Sequence, residues 1–148
     1  MKIFIGTDHA GYNLKTKIVE YINKKYADAL SLTDLSPILN DGDDYPVIAR
    51  DVCNHILSEQ EDTRGILICD TGIGMSIVAN RFKGIRASLC QSVFEVVRAR
   101  EHNNANVLCL GEYILSEGNE YMTLVDIFIN TEFSQEERHI RRINEIDS

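Results

Sequence analysis

The chain has 148 residues, 44% hydrophobic and 26% charged, which suffices for one core without structural metals or disulfide bonds. A formal net charge of −8 disfavours nucleic acid and acidic membranes as partners, so a small anion must be bound by a local cluster of cations. No apolar run approaches the roughly 20 residues of a membrane span, and residues 1–4 lead into a strand-like segment without a signal-peptide pattern. We therefore expect a cytoplasmic protein.

Short apolar runs alternate with segments of helical periodicity along the chain. Continuous apolar runs of this length are typical of parallel strands that are covered on both faces. Helical stripes lie between them, and further helices are predicted after Gly72, beginning near Met75, and after Gln91. In chain order the predicted elements are a strand at 2–5, a helix on Leu14, Ile18 and Ile22, a strand at about 29–35, a helix on Val47, Val52 and Ile56, a strand at 66–69, the helix after Gly72, a strand at 85–89, the helix after Gln91, a strand at 107–110, a helix on Tyr121, Leu124 and Phe128, and a last helix at about 135–147.

This alternation predicts an α/β fold. Right-handed crossovers between parallel strands give a Rossmann-like three-layer αβα sandwich with a parallel sheet of about five strands. There is no internal repeat or linker, so residues 1–148 are predicted to form one domain.

Four cysteines, Cys53, Cys69, Cys90 and Cys109, lack the spacing of a zinc site or a disulfide framework. Cys69 differs from the others because it lies at the start of a glycine-containing turn within GILICDTGIGMSIVANR, residues 65–81. A strand that ends at Cys69 and a helix after the turn would direct backbone N–H groups at the thiol, which stabilises a thiolate. The alternative, that Cys69 is an ordinary buried strand residue, is equally consistent with its position.

Two other chemistries for this segment are excluded. Asp70-Thr71-Gly72 has the form of an aspartic-protease motif, but those enzymes pair two carboxylates within all-β lobes, whereas helical periodicity follows Gly72 here. A thiol phosphatase would need an arginine six residues after the cysteine, and that residue is Met75.

Six blocks in order along nearly the whole chain closely resemble the B-type ribose-5-phosphate isomerases, a family that also contains galactose-6-phosphate and allose-6-phosphate isomerases. The resemblance implies interconversion of ribose 5-phosphate and ribulose 5-phosphate in the pentose phosphate pathway, through a cis-enediol(ate) and without metal or organic cofactor. The blocks are Gly6-Thr7-Asp8-His9-Ala10-Gly11, Asp44-Tyr45-Pro46, residues 65–80, Gly84-Ile85-Arg86-Ala87, Glu101-His102-Asn103-Asn104-Ala105-Asn106-Val107 and Arg138-His139-Ile140-Arg141-Arg142.

The resemblance also implies roles for individual residues. Cys69 is the base that moves the proton between C2 and C1, and His102 opens the sugar ring with the help of Thr71. Backbone N–H groups would hold the enediolate oxygen, and side chains near them would bind sugar hydroxyls. The backbone donors are those of Asp70, Thr71, Gly72, Ile73 and Gly74, and the substrate-binding side chains are those of Asp8, Asp44, Tyr45 and Asn103.

Arg138 and Arg142 are four residues apart on the last predicted helix, so their guanidinium groups share one face and suit a phosphate dianion. The resemblance assigns them to the phosphate, with His9 as a third candidate. Without it, the spacing equally fits a solvated helix on which Glu136 and Glu137 pair with Arg141 or Arg142. Likewise, Asp8 and Asp44 would be turn and helix-start residues, and His102 a favourable charge at a helix end.

One position departs from the family pattern. Relatives commonly carry an arginine two residues after the glycine that follows the last strand, whereas this sequence reads Gly111-Glu112-Tyr113. A tyrosine donates one hydrogen bond and carries no charge, so the sugar preference is open. The alternatives are a phosphohexose isomerase and, outside the class, a non-catalytic phosphate- or nucleotide-binding module.

Topology adds an expectation about assembly. Ligands of parallel sheets bind beyond the carboxyl ends of the strands, which suits Asp8, His9 and Cys69, whereas His102 and Asn103 precede a strand. A single site with all of these residues therefore needs two chains. We expect a homodimer with a shared site, and leave open whether dimers pair into tetramers.

Overall fold

Five parallel strands form one sheet with helices on both faces in the computed structural model, which describes residues 1–59, 62–115 and 118–148. The strands are β1 (Lys2–Thr7), β2 (Ser31–Asp34), β3 (Thr63–Cys69), β4 (Ala87–Leu89) and β5 (Val107–Gly111). Their order across the sheet is β2-β1-β3-β5-β4, so the chain reverses its direction of winding between β1 and β3. The predicted Rossmann-like αβα sandwich is confirmed.

Within the described residues, seven α-helices connect or follow these strands, with a single turn of 3-10 helix, His9–Gly11, directly after β1. Apolar residues recur along each longer helix with helical period, which buries one stripe against the sheet. The helices are α1 (Tyr12–Tyr26), α2 (Tyr45–Ser58), α3 (Ile73–Ala79), α4 (Val93–Asn103), α5 (Glu112–Leu115), α6 (Glu120–Asn130) and α7 (Glu137–Ile146).

The sheet separates two hydrophobic cores because successive strand side chains point to opposite faces. Ile3, Ile5 and Ile68 face the core under α1, α4 and α6. Leu67, Cys69 and other residues face the core under α2 and α3. The alternation therefore directs the Cys69 side chain toward the side of the sheet that carries α3.

Several element boundaries differ from the predictions. The helix after Gly72 begins at Ile73 rather than near Met75, so Gly74 is helical. The last helix begins at Glu137 and ends at Ile146. It does not extend back to Gln135, because Gln135 has a left-handed backbone with φ of 58°. β2 and β4 are shorter than predicted; before β4, the Ile85 N–H bonds to Phe82 in a turn instead of pairing in the sheet. The short α5 was not predicted.

Candidate active site

The carboxyl ends of β1 and β3 meet where the winding of the sheet reverses, which is where ligands of open parallel sheets bind. Thr7 pairs with Ile68 in the parallel register, so the next residues, Asp8 and Cys69, lie at the same level of neighbouring strands. The structure therefore brings the first and third predicted blocks to one edge of the sheet.

Cys69 is the last residue of β3 and is 6% exposed. The backbone N–H of Gly72 donates a hydrogen bond to its Sγ atom over 3.1 Å. Gly72 has φ of 76°, and a Cβ atom there would lie 2.9 Å from the carbonyl oxygen of Leu110. Only glycine therefore fits the turn that points this donor at the sulfur atom. One backbone donor is thus fixed on the sulfur atom.

The next residues of the loop are held by neighbouring elements. Thr71 is half-buried, and its hydroxyl accepts a 3.4 Å hydrogen bond from the N–H of Ile73. A Cβ atom on Gly111 would lie 2.8 Å from the carbonyl carbon of Thr71, so β5 approaches the loop as closely as backbones allow. The exposed Asp70 accepts a 3.0 Å hydrogen bond at its carbonyl oxygen from the N–H of Tyr113. The loop is thus fixed from both ends.

The start of α2 lies beside the same loop. A Cβ atom on Gly74 would be 2.6 Å from Cε2 of Tyr45, so the tyrosine ring covers that glycine. Within the described residues, the exposed carboxylate of Asp44 makes no capping hydrogen bond to α2, although Asp44 has the extended backbone of an N-cap residue. The ring of Tyr45 thus borders the Cys69 loop, and the exposed Asp44 precedes it in sequence.

Asp8 is buried at the start of the 3-10 turn, where its Oδ1 accepts a 3.1 Å hydrogen bond from the N–H of Ala10. Burial raises the pKa of Asp8 above its ordinary value, while the hydrogen bond from Ala10 and the charge of His9 act in the opposite direction. The adjacent His9 is exposed. A buried carboxylate and an exposed imidazole therefore lie side by side at this edge.

His102 and Asn103 lie in the last turn of α4, whose start is fixed by a capping box between Ser92 and Glu95. Nη1 of Arg98 donates to Nε2 of His102 over 3.1 Å, so this nitrogen is the acceptor of the imidazole. The other partner of the ring is a second histidine, His139 of α7, with 4.2 Å between the ring centroids.

His139 is only 2% exposed, and its Nδ1 atom lies 2.7 Å from Oγ of Ser134. Burial lowers the pKa of His139, and the charge of His102 acts in the same direction. We did not predict a role for His139 from the sequence, because its contact with His102 depends on how α7 packs against α4. The one available signal was its position inside the Arg138–Arg142 block.

Arg138 and Arg142 are both exposed on α7. Nε of Arg138 donates to Oε2 of Glu136 over 2.7 Å, which lowers the pKa of that carboxyl. Arg141 lies 3.9 Å from Glu145. The solvated helix of the alternative interpretation is therefore present, but its ion pairs differ from those predicted. The alternative paired Glu136 and Glu137 with Arg141 or Arg142.

The candidate residues form two groups on opposite edges of the sheet. Cys69 pairs with Gly111 at the end of β5, whereas His102 and Asn103 precede Val107, where β5 begins. The four steps from Gly111 back to Val107 separate the level of Cys69 from the start of β5 by about 13 Å. The groups are, at the carboxyl edge, Asp8, His9, Asp44, Tyr45, Asp70, Thr71, Gly72, Ile73 and Gly74 around Cys69 and, at the other edge, His102, Asn103, Arg138 and Arg142.

No group of three or more metal-binding side chains is present among the described residues. None of the described helices has the length and apolarity needed to cross a membrane.

An α/β sandwich with a thiol and a polar loop at its winding reversal fits the sugar-phosphate isomerase class that the sequence blocks resemble. A sequence model of the family described as Ribose/Galactose Isomerase matches residues 3–146. The chain belongs to this family, as its sequence blocks predicted.

Relatives and solved structures agree with this membership. A putative sugar phosphate isomerase of Rickettsia bellii is 42% identical over 145 residues, covering 98% of this chain and 96% of the relative. A probable ribose-5-phosphate isomerase B of Mycoplasma genitalium is 39% identical over 145 residues, or 97% of this chain and 92% of the relative. The structure of ribose-5-phosphate isomerase B of Clostridium thermocellum superposes with a TM-score of 0.90 at 39% identity, covering 99% of this chain and 95% of that one.

Proposed function

We propose that the protein interconverts ribose 5-phosphate and ribulose 5-phosphate. The observation that carries the proposal is the Cys69 thiol, held at the winding reversal of the sheet with a backbone N–H directed at its sulfur. The relatives and solved structures named as ribose-5-phosphate isomerase B support the choice of substrate.

In the proposed mechanism the Cys69 thiolate removes the proton from C2 of the open-chain aldose and returns it at C1, while the proton of the C2 hydroxyl passes to the C1 oxygen, so that the carbonyl moves to C2. The electron pair of the broken C–H bond passes into an enediolate, whose oxygen would be held by backbone N–H groups of the loop from Asp70 to Gly74. Gly72 and Ile73 already donate within the loop, to Cys69 and to Thr71. Asp70, Thr71 and Gly74 are therefore the donors that we assign first to the substrate oxygen.

The remaining predicted residues have supporting positions in this mechanism. Asp8, Asp44 and Tyr45 surround the Cys69 loop with polar groups that suit sugar hydroxyls, and His9 is exposed beside them. For ring opening, Nε2 of His102 would exchange its hydrogen bond from Arg98 for one from the ring hydroxyl and remove that proton, with Thr71 assisting. Asn103 would bind the opened sugar, and Arg138 and Arg142 would bind its phosphate.

We further propose that each site is shared between two copies of the chain in a two-fold dimer. The separation of about 13 Å along β5 between the level of Cys69 and the end that follows His102 supports this, because one sugar phosphate cannot contact both edges of one sheet. Exposed apolar side chains on α3 and at the start of α4 also support it. Ile73 and Ile77 of α3 are exposed, as are Val93 and Phe94 of α4, the last to 68%.

The first experiment compares conversion of ribose 5-phosphate by wild type and by Cys69→Ala in buffer with a metal chelator. Cys53→Ala is the matched control, because Cys53 is buried in the same core and burial raises the pKa of its thiol to about 12. We expect turnover by wild type and by the control and none by Cys69→Ala. Turnover that survives in Cys69→Ala would assign the base to another group, with Asp70 tested next.

The second experiment co-expresses two inactive variants, Cys69→Ala and His102→Ala. In a shared site, mixed dimers hold one intact site, so about a quarter of wild-type activity should return from random pairing. Cys69→Ala with Thr71→Ala is the control, since both residues lie on one edge and no pairing restores a site. Equal inactivity of both mixtures would refute the shared site.

A phosphohexose is the second candidate substrate, and two observations favour testing it. The family description covers both ribose and galactose isomerases, and Tyr113, where relatives commonly have arginine, is 79% exposed. Comparing kcat/KM for ribose 5-phosphate with that for allose 6-phosphate and galactose 6-phosphate decides between them. Higher values for either hexose would overturn the pentose assignment while leaving the isomerase class intact.

A further inference from the structure

Arg86 belongs to the one sequence block, Gly84-Ile85-Arg86-Ala87, to which the proposed mechanism gives no role. Its side chain is 16% exposed and lies beneath the last turn of α4. Nε donates to the carbonyl oxygens of Asn103 and Asn104, each over 3.1 Å. The guanidinium therefore holds the carbonyl end of the helix that carries His102 and Asn103, where a cation is favoured.

The same guanidinium also holds the end of α7. Nη1 of Arg86 lies 2.7 Å from Oδ2 of Asp147, the residue that caps α7. The two residues are 61 positions apart in sequence, so this contact joins distant segments of the chain. One side chain thus connects the helix of His102 and Asn103 with the helix of Arg138 and Arg142.

The backbone of Arg86 is fixed as firmly as its side chain. Its N–H donates to Oδ1 of Asn106 over 2.8 Å, and its carbonyl accepts from the N–H of Asn106 over 3.1 Å. Nδ2 of Asn106 in turn donates to the carbonyl of Gly84. Because Asn106 directly precedes β5, the guanidinium is anchored to the sheet rather than to a mobile surface.

We propose that Arg86 is a positioning residue that keeps the sugar-binding end of α4 and the phosphate-binding helix α7 in one fixed arrangement. This inference rests on the proposed function, because it assigns Asn103 to the sugar and Arg138 and Arg142 to its phosphate. A phosphate held by α7 places the reacting carbons correctly only if α7 is fixed relative to α4.

The two contacts can be broken separately. Asp147→Asn removes the ion pair to α7 and leaves the hydrogen bonds to Asn103 and Asn104. Arg86→Lys keeps the charge but cannot hold both helix ends at once, because its single ammonium group has no Nε donor and no planar fork. Glu59→Gln is the matched control, since Glu59 forms a 2.7 Å ion pair with Lys2 and is 28% exposed, as Asp147 is.

The measurements are kcat and KM for ribose 5-phosphate, the inhibition constant of inorganic phosphate, and urea unfolding. For Asp147→Asn we expect KM and the inhibition constant to rise severalfold and kcat to fall, because a loosened α7 no longer places the reacting carbons correctly. For Arg86→Lys we expect kcat to fall as well, by about tenfold, because the end of α4 is also released. Glu59→Gln should change neither kinetic constant. The proposal would be overturned if Arg86→Lys and Asp147→Asn lost stability but changed kcat and KM no more than Glu59→Gln does.

Amide hydrogen exchange separates this proposal from the proposed function. Arg86→Lys should increase exchange at 102–106 and at 143–148, and Asp147→Asn at 143–148 alone. If wild type converts no ribose 5-phosphate, the proposed function fails, and the exchange data alone still test Arg86. Unchanged exchange in both variants would refute the positioning role even in an active enzyme.

Discussion

Gly72 is the residue at which the shape of the Cys69 loop can be tested most directly, by the substitution Gly72→Ala. Its φ of 76° costs a non-glycine residue about 1 kcal/mol. The new Cβ would also lie 2.6 Å from Cδ1 of Leu89 and 2.9 Å from the carbonyl oxygen of Leu110, and displacing a strand backbone adds about 1–3 kcal/mol. We expect a loss of about 2–4 kcal/mol in the free energy of unfolding, the sum of these two costs.

Gly84→Ala is the control for this prediction. Gly84 has a similar φ of 87°, but a Cβ there would meet only Cδ2 of Leu57, at an ordinary 3.4 Å. It should therefore lose about 1 kcal/mol, from backbone strain alone.

Urea unfolding followed by circular dichroism measures both losses, and turnover of ribose 5-phosphate measures the effect on the site. Turnover should fall in Gly72→Ala, because the relaxed loop moves the N–H that bonds Cys69, and should persist in Gly84→Ala. Equal stability losses in the two variants, with turnover retained in Gly72→Ala, would refute the account of the loop.

Three further predictions concern charges and protonation. Asp8→Asn should raise the free energy of unfolding near neutral pH, because burial raises the pKa of the Asp8 carboxyl and the substitution removes its buried charge. It should also lower turnover. Urea unfolding and kinetics at one pH test both expectations. His139→Gln should flatten the pH dependence of stability. Burial lowers the pKa of His139 in the folded protein, so the unfolded chain takes up a proton first as the pH falls below about 6.5, and wild type loses stability there. Thermal unfolding from about pH 7.5 to 5 measures this slope. Asp34→Asn should lower the free energy of unfolding in urea by about 3 kcal/mol, because the amine of Lys15, which is nearly inaccessible to solvent, loses the carboxylate 2.6 Å away. A loss below about 1 kcal/mol, which is typical of an exposed pair, would contradict this prediction.

Local sequence signals predicted the parts of the site that lie within single segments. The apolar run ending at Cys69 and the glycine at 72 predicted a strand, a turn and a helix, and the spacing of Arg138 and Arg142 predicted one helical face. The helix boundaries shifted by a few residues because caps and backbone conformations such as that of Gln135 act within one turn and are weakly signalled.

Contacts between distant segments were outside what the residues alone could predict. The stacking of His139 on His102 and the ion pair from Arg86 to Asp147 depend on α7 lying against α4, and no periodicity encodes that contact. The close approach of Gly111 to Thr71 likewise follows from the pairing of β5 with β3.

The sequence by itself determined the αβα class, the thiol loop at Cys69 and the family, because alternating apolar runs and ordered motifs are short-range properties of the chain. Only the tertiary structure decided that Cys69 and His102 lie at opposite ends of β5, which are about 13 Å apart, and that Arg86 joins two helices, because these relations depend on strand order and helix packing. Such long-range contacts form when the whole core closes, and they determine which residues can act on one substrate.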